Sequence, residues 1–206
     1  GQHLALAAAH VQGRPLQSIF IGGGTPSLFS AQGIGRILDA CARRLHFADT
    51  IEITLEANPG SSEQQKFADL HNAGVNRLSL GIQSFQQHQL ERLGRVHNHN
   101  EALAAVNAAQ QAGFSRINLD LMHGLPEQTV AQALADLQQA ISTGVEHISW
   151  YQLTIEQNTE FFRYPPRLPV EDTLADIQEA GFALLATNGF TQYEISAFCR
   201  NGQVAR

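Results

Sequence analysis

Two carboxylates and one guanidinium are the side chains in this sequence best suited to hold a charged ligand. Glu56, Asp120 and Gln83 lie at polar positions of three runs in which apolar and polar residues alternate, and Arg95 follows Gln83 at the end of a short helical stretch. Carboxylates accept hydrogen bonds from ammonium or ribose hydroxyl groups and attract a sulfonium, and an arginine binds a carboxylate. The set predicts a site for a zwitterionic or cationic ligand, with a structural network of ion pairs as the alternative.

A glycine triplet, Gly22-Gly23-Gly24, stands before Thr25 and Pro26, directly after the first apolar run. Because glycines carry no side chain, their backbone N–H and C=O groups can approach a ligand closely. The turn lacks the Gly-Lys-Ser/Thr of a P-loop and the GxGxxG of a dinucleotide site. It is interpreted as a second ligand contact, and a tight connection between strand and helix is the alternative.

Metal and nucleophile motifs are sparse. The chain of 206 residues has two cysteines, Cys41 and Cys199. An iron-sulfur cluster or a cysteine zinc site needs three or four thiolates, so this chain can hold neither unaided. His88, His97 and His99 cluster around a predicted loop without an HExxH motif, which favours solvated loop histidines over a metal site.

Charge and hydropathy narrow the class of protein. The formal net charge is −6, and no block of Lys or Arg is present that could neutralise nucleic-acid phosphates. No apolar run reaches the ~18 residues of a membrane span, and residues 1–10 lack the features of a signal peptide. We therefore expect a cytoplasmic protein with no nucleic-acid partner and no stable membrane insertion. A helical pattern at the opening, without an initiator methionine, suggests a segment of a longer protein.

Strand-length runs must position these side chains. They cover residues 18–21, 50–56, 77–83, 116–122, 147–153 and 191–197. Stripes of apolar residues at helical spacing separate the runs, and most of these helices end at a glycine before the next strand. Regular alternation of strand and helix predicts a single α/β domain over residues 1–206, with a parallel sheet and right-handed crossovers.

Three of the runs alternate strictly, whereas parallel strands buried on both faces are usually apolar throughout. Their polar or small positions are Glu52, Thr54, Glu56, Ser79, Gly81, Gln83, Asn118 and Asp120. One face of the sheet is therefore expected to pack on helices, and the other to line the lumen of a curved, barrel-like sheet around a polar ligand. A half-exposed antiparallel sheet is the alternative.

Five motifs resemble one protein family as a set. They are SIFIGGGTPS over 18–27, EANP over 56–59, NRLSLGIQSF over 76–85, LGRVH over 93–97 and NLDLMHGLP over 118–126. In this order and spacing they resemble the radical S-adenosylmethionine (SAM) proteins of heme metabolism. That group contains the oxygen-independent coproporphyrinogen III oxidases and the HemW-type heme chaperones. A further motif, SWYQLTIEQNT over 149–159, is more similar to the heme-chaperone branch.

The resemblance implies a fold and a set of cofactors. The fold is a partial (β/α)6 barrel, similar to a TIM barrel, that holds SAM against a [4Fe-4S] cluster whose electron cleaves SAM to methionine and a 5'-deoxyadenosyl radical. The contacts to SAM that the family's motifs imply are Gly23, Gly24 and Thr25 at the methionine moiety, Thr154 through its backbone at the adenine end, and Glu56, Gln83, Arg95 and Asp120.

One departure from the family is large, because its CxxxCxxC loop is absent. By the family's spacing this loop would precede Gly1, so the runs correspond to core strands two to six and one later strand. The cluster ligands are then expected outside this chain, which by itself would bind no cluster and make no radical. A barrel without its first strand would also expose a sheet edge beside residues 18–21.

The resemblance leaves the function open between two members of the group. Its implied partners are SAM, heme or a porphyrinogen, and heme-acceptor proteins. A heme chaperone is the first hypothesis, and the second is an enzyme that oxidatively decarboxylates coproporphyrinogen III to protoporphyrinogen IX. A third, from another class, is an ordinary α/β barrel that binds phosphate.

Overall fold

The structure is a computed structural model that describes residues 13–206. Seven strands form one sheet: β1 (Leu16–Ile21), β2 (Phe47–Ala57), β3 (Arg77–Gln83), β4 (Ile117–His123), β5 (His147–Gln152), β6 (Phe190–Glu194) and β7 (Ala197–Arg200). The helices of this range are α1 (Ala31–Ala42), α2 (Ser61–Gln64), α3 (Phe67–Asn72), α4 (Gln87–Arg92), α5 (His99–Gln111), α6 (Val130–Ser142), α7 (Glu160–Arg163) and α8 (Glu171–Thr187). The predicted helical opening of the chain falls on residues 1–12, outside the described residues.

The first five strands lie side by side in chain order, each parallel to the next. Helices connect them, as the alternation of strand and helix predicts. In the described part of the chain, β1 pairs with β2 alone, so it forms an edge of the sheet, as expected. On this edge Phe20, paired with Thr54 on the lumen side, is 62% exposed.

The prediction of one parallel strand over residues 191–197 is wrong. This segment begins an antiparallel hairpin, in which β7 inserts between β5 and β6 and runs antiparallel to both. Ile195 and Ser196 alone connect β6 to β7. A parallel neighbour needs a crossover of a dozen or more residues, so such a short connection permits only an antiparallel pair.

The two faces of the sheet differ as the alternation predicts. Fully buried leucines and isoleucines of β2, β3 and β4 face the helices: Leu55, Leu78, Leu80, Ile82, Leu119 and Leu121. On the other face the register places Glu56 beside Ser79, and Ser79 beside Asn118. The polar side chains thus form a continuous layer across neighbouring strands, which the curved sheet encloses.

The amino-terminal end of the lumen is filled by protein. Glu52, 3% exposed, pairs with Arg116 Nη1 at 3.0 Å and accepts the backbone N–H of Arg206 at 3.0 Å. Burial lowers the pKa of the nearby Arg77, and the charge of Glu52 opposes that shift. Within the described residues, ion pairs and Arg206 occupy this end of the lumen, and the polar cavity lies at the carboxyl ends of the strands.

The outer face of β5 packs on α8 through one large side chain. Trp150, 2% exposed, contacts Phe182 edge-on at a centroid distance of 6.1 Å and lies 4.2 Å from the ring of His123. The indole occupies the space where a side chain at Gly181 would stand. The helix can therefore approach the sheet only because Gly181 has no Cβ. None of the helices between residues 13 and 206 is long and apolar enough to cross a membrane.

Candidate functional site

A cavity of about 240 Å³ opens at the carboxyl ends of the parallel strands. It brings together six of the eight predicted site residues: Gly24, Thr25, Glu56, Gln83, Arg95 and Asp120. Its other lining residues are Pro26, Ala57, Asn58, Ser79, Gly81 and Tyr151. Side chains from β2 to β5 and the turn after β1 therefore converge on one polar space, at the end where parallel α/β folds carry their sites.

The glycine turn after β1 is tied to Glu56. The backbone N–H of Gly23, the seventh predicted residue, donates to Glu56 Oε2 at 3.0 Å. Gly23 and Gly24 have φ angles of +88° and +65°, a left-handed backbone that glycine adopts without strain. A carboxylate has several acceptor positions, so Glu56 can hold this turn and still accept a hydrogen bond from a ligand.

Asp120 lies at the floor of the cavity among hydrogen-bond donors. Its Oδ2 accepts from Ser79 Oγ and its Oδ1 from Asn118 Nδ2, both at 2.9 Å. Burial raises the pKa of Asp120, the hydrogen bonds from Ser79 and Asn118 oppose the rise, and the charge of Glu56 adds to it. A cationic or hydroxyl-bearing ligand would offset this cost, because it would supply an opposite charge or a further hydrogen-bond donor to the carboxylate.

Gln83 holds an unusual backbone conformation at the end of β3. Its φ is +69°, and the register with β4 shifts between Leu80 and Gln83. Such a conformation costs energy in a residue other than glycine, and surrounding contacts must hold it in place. The side chain accepts a hydrogen bond from Tyr151 Oη at 2.8 Å. Burial raises the pKa of Tyr151 to about 12, so the phenol stays protonated and continues to donate.

The turn that follows Gln83 is fixed from α6. Asp136, 1% exposed, accepts from Ser84 Oγ at 2.7 Å and from the backbone N–H of Phe85 at 2.8 Å. Burial raises the pKa of Asp136, and these two hydrogen bonds lower it in part. Bonds to the two residues after Gln83 help to hold its left-handed backbone in place.

Arg95 forms the cationic wall of the cavity. Its Nη2 donates to Gly81 O at 3.2 Å and to Asn58 Oδ1 at 3.4 Å. Burial lowers the pKa of Arg95, while the nearby Tyr151 and Asp120 raise it. The guanidinium has five N–H donors, so these two acceptors leave others for a ligand carboxylate. An arginine keeps its charge at neutral pH.

The structure does not place Thr154, the eighth predicted residue, in this cavity. Thr154 is exposed, and its Oγ1 donates to Glu156 Oε1 at 3.2 Å. It lines a neighbouring groove together with Gly94, the residue before Arg95, and Tyr164. Its backbone contact with adenine stays a prediction.

Six lining residues were not among the predicted site residues, and three of the six carry polar side chains: Asn58, Ser79 and Tyr151. The signal for Ser79 was its position on the polar face of β3. Tyr151 lies two residues after Ser149, which pairs with Asp120 in the register, so alternation along β5 could have indicated it. Asn58 lies just past β2, where alternation ends, and its signal was its place in the EANP motif at the end of that strand.

Within residues 13–206, no group of three or more His, Cys, Asp or Glu side chains is arranged to hold a metal. Cys41 is half-buried on α1 and Cys199 is buried on β7. His97 Nε2 bonds to Ile82 O at 3.1 Å and His99 Nδ1 to Phe85 O at 2.7 Å. Both rings bond backbone carbonyls. His97 is also buried, so the expectation that it is solvated is wrong.

Comparison with known proteins identifies the family that shares this arrangement. The sequence profile of the radical SAM superfamily matches residues 3–140, which include the glycine turn, Glu56, Gln83, Arg95 and Asp120. The chain belongs to the radical SAM superfamily. The family resemblance and the partial barrel expected from the sequence are thereby confirmed.

The most informative relatives are radical SAM proteins of heme metabolism. The chain is 55% identical over 192 residues to the heme chaperone HemW of Haemophilus influenzae and 52% identical over 194 residues to that of Escherichia coli. These alignments cover 93% and 94% of the chain but 50% and 51% of the relatives, so it spans about half their length. The solved coproporphyrinogen III oxidase (HemN) of E. coli superposes with a TM-score of 0.85 at 25% identity, over 98% of the chain and 47% of the oxidase.

Superfamily membership implies SAM and a [4Fe-4S] cluster as cofactors. The residues of this chain match the groups of SAM but do not supply the ligands of the cluster. The cavity offers acids, an arginine and open glycine backbone, which match the charged groups of SAM. Cys41 and Cys199 are too few for a cluster, which needs three or four thiolates. The SAM half of a radical SAM site is therefore compatible with these residues, and the cluster half is not.

Proposed function

We propose that this chain is the SAM-binding core of a heme chaperone. The observation that carries the proposal is the cavity in which Glu56, Asp120 and Arg95 converge beside the glycine turn. SAM has an ammonium, a carboxylate, a sulfonium and ribose hydroxyls, so it needs both acidic and basic partners. The heme function is supported by relatives that are named heme chaperones.

Each charged group of SAM, and its ribose, has a chemically matched partner at the cavity. The backbone of Gly23, Gly24 and Thr25 faces the methionine ammonium, with Glu56 beside it. Arg95 binds the methionine carboxylate through N–H groups that Gly81 and Asn58 leave free. Asp120 accepts from the ribose hydroxyls or faces the sulfonium. When SAM is bound beside a cluster held by residues outside this chain, it supplies the family's reductive cleavage chemistry.

Oxidative decarboxylation of coproporphyrinogen III is the second candidate function. The observation that favours it is the superposition on HemN, with a TM-score of 0.85 over 98% of the chain. Both functions place heme or a porphyrinogen beside the SAM site, and the chaperone also needs heme-acceptor proteins. A cytoplasmic location is part of the proposal, and cell fractionation tests it.

One experiment separates the two functions. The protein from the complete reading frame, reconstituted anaerobically, is titrated with heme and assayed for decarboxylation of coproporphyrinogen III. The chaperone proposal expects a heme absorption band that saturates and no turnover, whereas turnover would establish the oxidase. In the same protein, Glu56→Gln is expected to raise the SAM dissociation constant about tenfold, because it removes a charged hydrogen-bond acceptor. Glu179→Gln, at an exposed position on α8, is the control.

Gly81 provides a second test, because its lack of a side chain keeps room for Arg95. A Cβ at Gly81 would lie 3.2 Å from Arg95 Nη2, 3.2 Å from Gln83 Nε2 and 3.5 Å from Asn58 Oδ1. Gly81→Ala is therefore expected to displace Arg95 and raise the SAM dissociation constant roughly threefold to tenfold, measured by calorimetry, by weakening one charged hydrogen bond. An unchanged affinity would remove Arg95 from the carboxylate site.

A further inference from the structure

Glu63 is a buried carboxylate beside the cavity that does not line it. The residue lies on the short helix α2 and is 6% exposed. Its Oε2 accepts the backbone N–H of Asn58 at 2.8 Å and also the hydroxyl of Ser27. A buried carboxylate is costly unless hydrogen bonds compensate it, and bonds to a charged acceptor are the strong ones.

The two donors to Glu63 belong to the two loops that carry the methionine end of the cavity. Ser27, fully buried, follows Thr25 and Pro26 in the loop after β1. Asn58 follows Glu56 in the loop after β2. One oxygen of Glu63 therefore connects these two loops outside the cavity. On the cavity side, the bond from Gly23 N–H to Glu56 connects the first loop to the end of β2.

A lysine adds a second connection to the first of these loops. Lys66 Nζ donates to Ser27 O at 3.3 Å and to Leu28 O at 3.2 Å. Lys66 lies three residues after Glu63, in the short link between α2 and α3. The segment from Glu63 to Lys66 thus holds both the side chain and the carbonyls of the loop that contains the glycine turn.

We propose that Glu63 is a positioning residue for SAM: it sets the separation between the glycine turn and Glu56, and so the fit of the methionine ammonium between them. This inference rests on the proposed SAM site. Binding at such a site depends on sub-ångström placement of its groups, which supporting hydrogen bonds maintain. Glu63 acts through Ser27 and Asn58 and has no contact with the cavity.

The test compares Glu63→Ala, Glu63→Gln and Ser27→Ala in the reconstituted protein from the complete reading frame, with SAM affinity measured by calorimetry. Glu63→Ala is expected to raise the SAM dissociation constant about tenfold, the effect of losing hydrogen bonds to a charged group. Glu63→Gln keeps an oxygen for both donors and is expected to restore affinity to within about threefold of the wild type. Ser27→Ala, which loses one of the two bonds, should lie between them.

A merely structural role would lower the melting temperature of these variants and leave SAM affinity unchanged. Gly181→Ala, distant in sequence on α8, provides a destabilised control that should bind SAM normally. Affinity within twofold of the wild type in Glu63→Ala overturns the inference, and if that variant does not fold, unchanged affinity in Ser27→Ala does so. Failure of the wild type to bind SAM would instead overturn the proposed function.

Discussion

Replacing Asp120 by asparagine is expected to weaken SAM binding by roughly a hundredfold without making the unliganded protein less stable. A hydrogen bond to a buried charged group contributes up to about 3 kcal/mol, which corresponds to this loss of affinity. In the unliganded protein the same charge is unfavourable, because burial raises the pKa of Asp120. Asparagine keeps an oxygen for Ser79 or Asn118 and removes the buried charge.

Calorimetric titration with SAM and urea unfolding of the unliganded protein measure the two effects separately. Asp39→Asn, at an exposed position on α1, makes the same chemical change away from the cavity and should alter neither quantity. A fall in stability together with normal SAM affinity would show that Asp120 is a structural residue and not a ligand contact.

The stability difference between Asp120→Asn and the wild type should also depend on pH. The ordinary pKa of this carboxyl is 3.8, and folding raises it. The folded state therefore binds the proton more tightly, so the contribution of Asp120 is fully present below about pH 3.8 and is lost as pH rises through the raised pKa. Unfolding experiments from about pH 4 to about pH 7 should show the variant gaining stability relative to the wild type. A constant difference would contradict the burial of this charge.

Gly181→Ala is expected to have the largest effect on stability. The added Cβ would come closer than 3.0 Å to three atoms of the Trp150 indole, a distance that real Cβ atoms do not adopt. The ring cannot move aside easily, because Trp150 is 2% exposed and packs on Phe182 and His123. Overpacking of this kind typically costs 1–3 kcal/mol, and we expect about 3 kcal/mol or more because the overlap is with a rigid ring.

Gly35→Ala is the matched control, since it is also a glycine within a helix. A Cβ at Gly35 would lie 3.7 Å from the Cβ of Ala73, an ordinary contact. Alanine is the better helix former, so this variant should be as stable as the wild type or gain up to about 1 kcal/mol. If both substitutions had the same effect in urea unfolding, the close packing of Trp150 on Gly181 would be wrong.

The polar layer of the site was predictable because a strand exposes alternate residues to opposite faces. Glu56, Gln83 and Asp120 lie on the polar face of three alternating runs, towards their carboxyl ends, and in a parallel sheet such positions meet at one edge. Their convergence in one cavity confirms this local inference. The glycine turn was predictable for a related reason, because glycine adopts the left-handed backbone of Gly23 and Gly24 without strain.

Other features depended on contacts between distant segments. The run over 191–197 has the composition of a strand, but pairing of β7 with β5 decided that it is part of an antiparallel hairpin. Ile37 lies one turn after the buried Ile34 on α1, so helical spacing predicts that it is buried too, yet it is 51% exposed because no described element covers that side of the helix. Propensity and periodicity are local quantities, and they do not specify which partner a segment meets.

The sequence by itself determined which side chains line the inner face of the sheet, where the glycine turn lies and to which family the chain belongs. These features depend on residue types at short, regular spacing. The tertiary structure decided how the loops are held: Glu63 joins Ser27 to Asn58, and Asp136 fixes the turn after Gln83. The bonds from Ser27 to Glu63 and from Ser84 and Phe85 to Asp136 connect residues that are far apart in the chain. Only the folded backbone brings those donors and acceptors within hydrogen-bond distance, and that distance determines their energy.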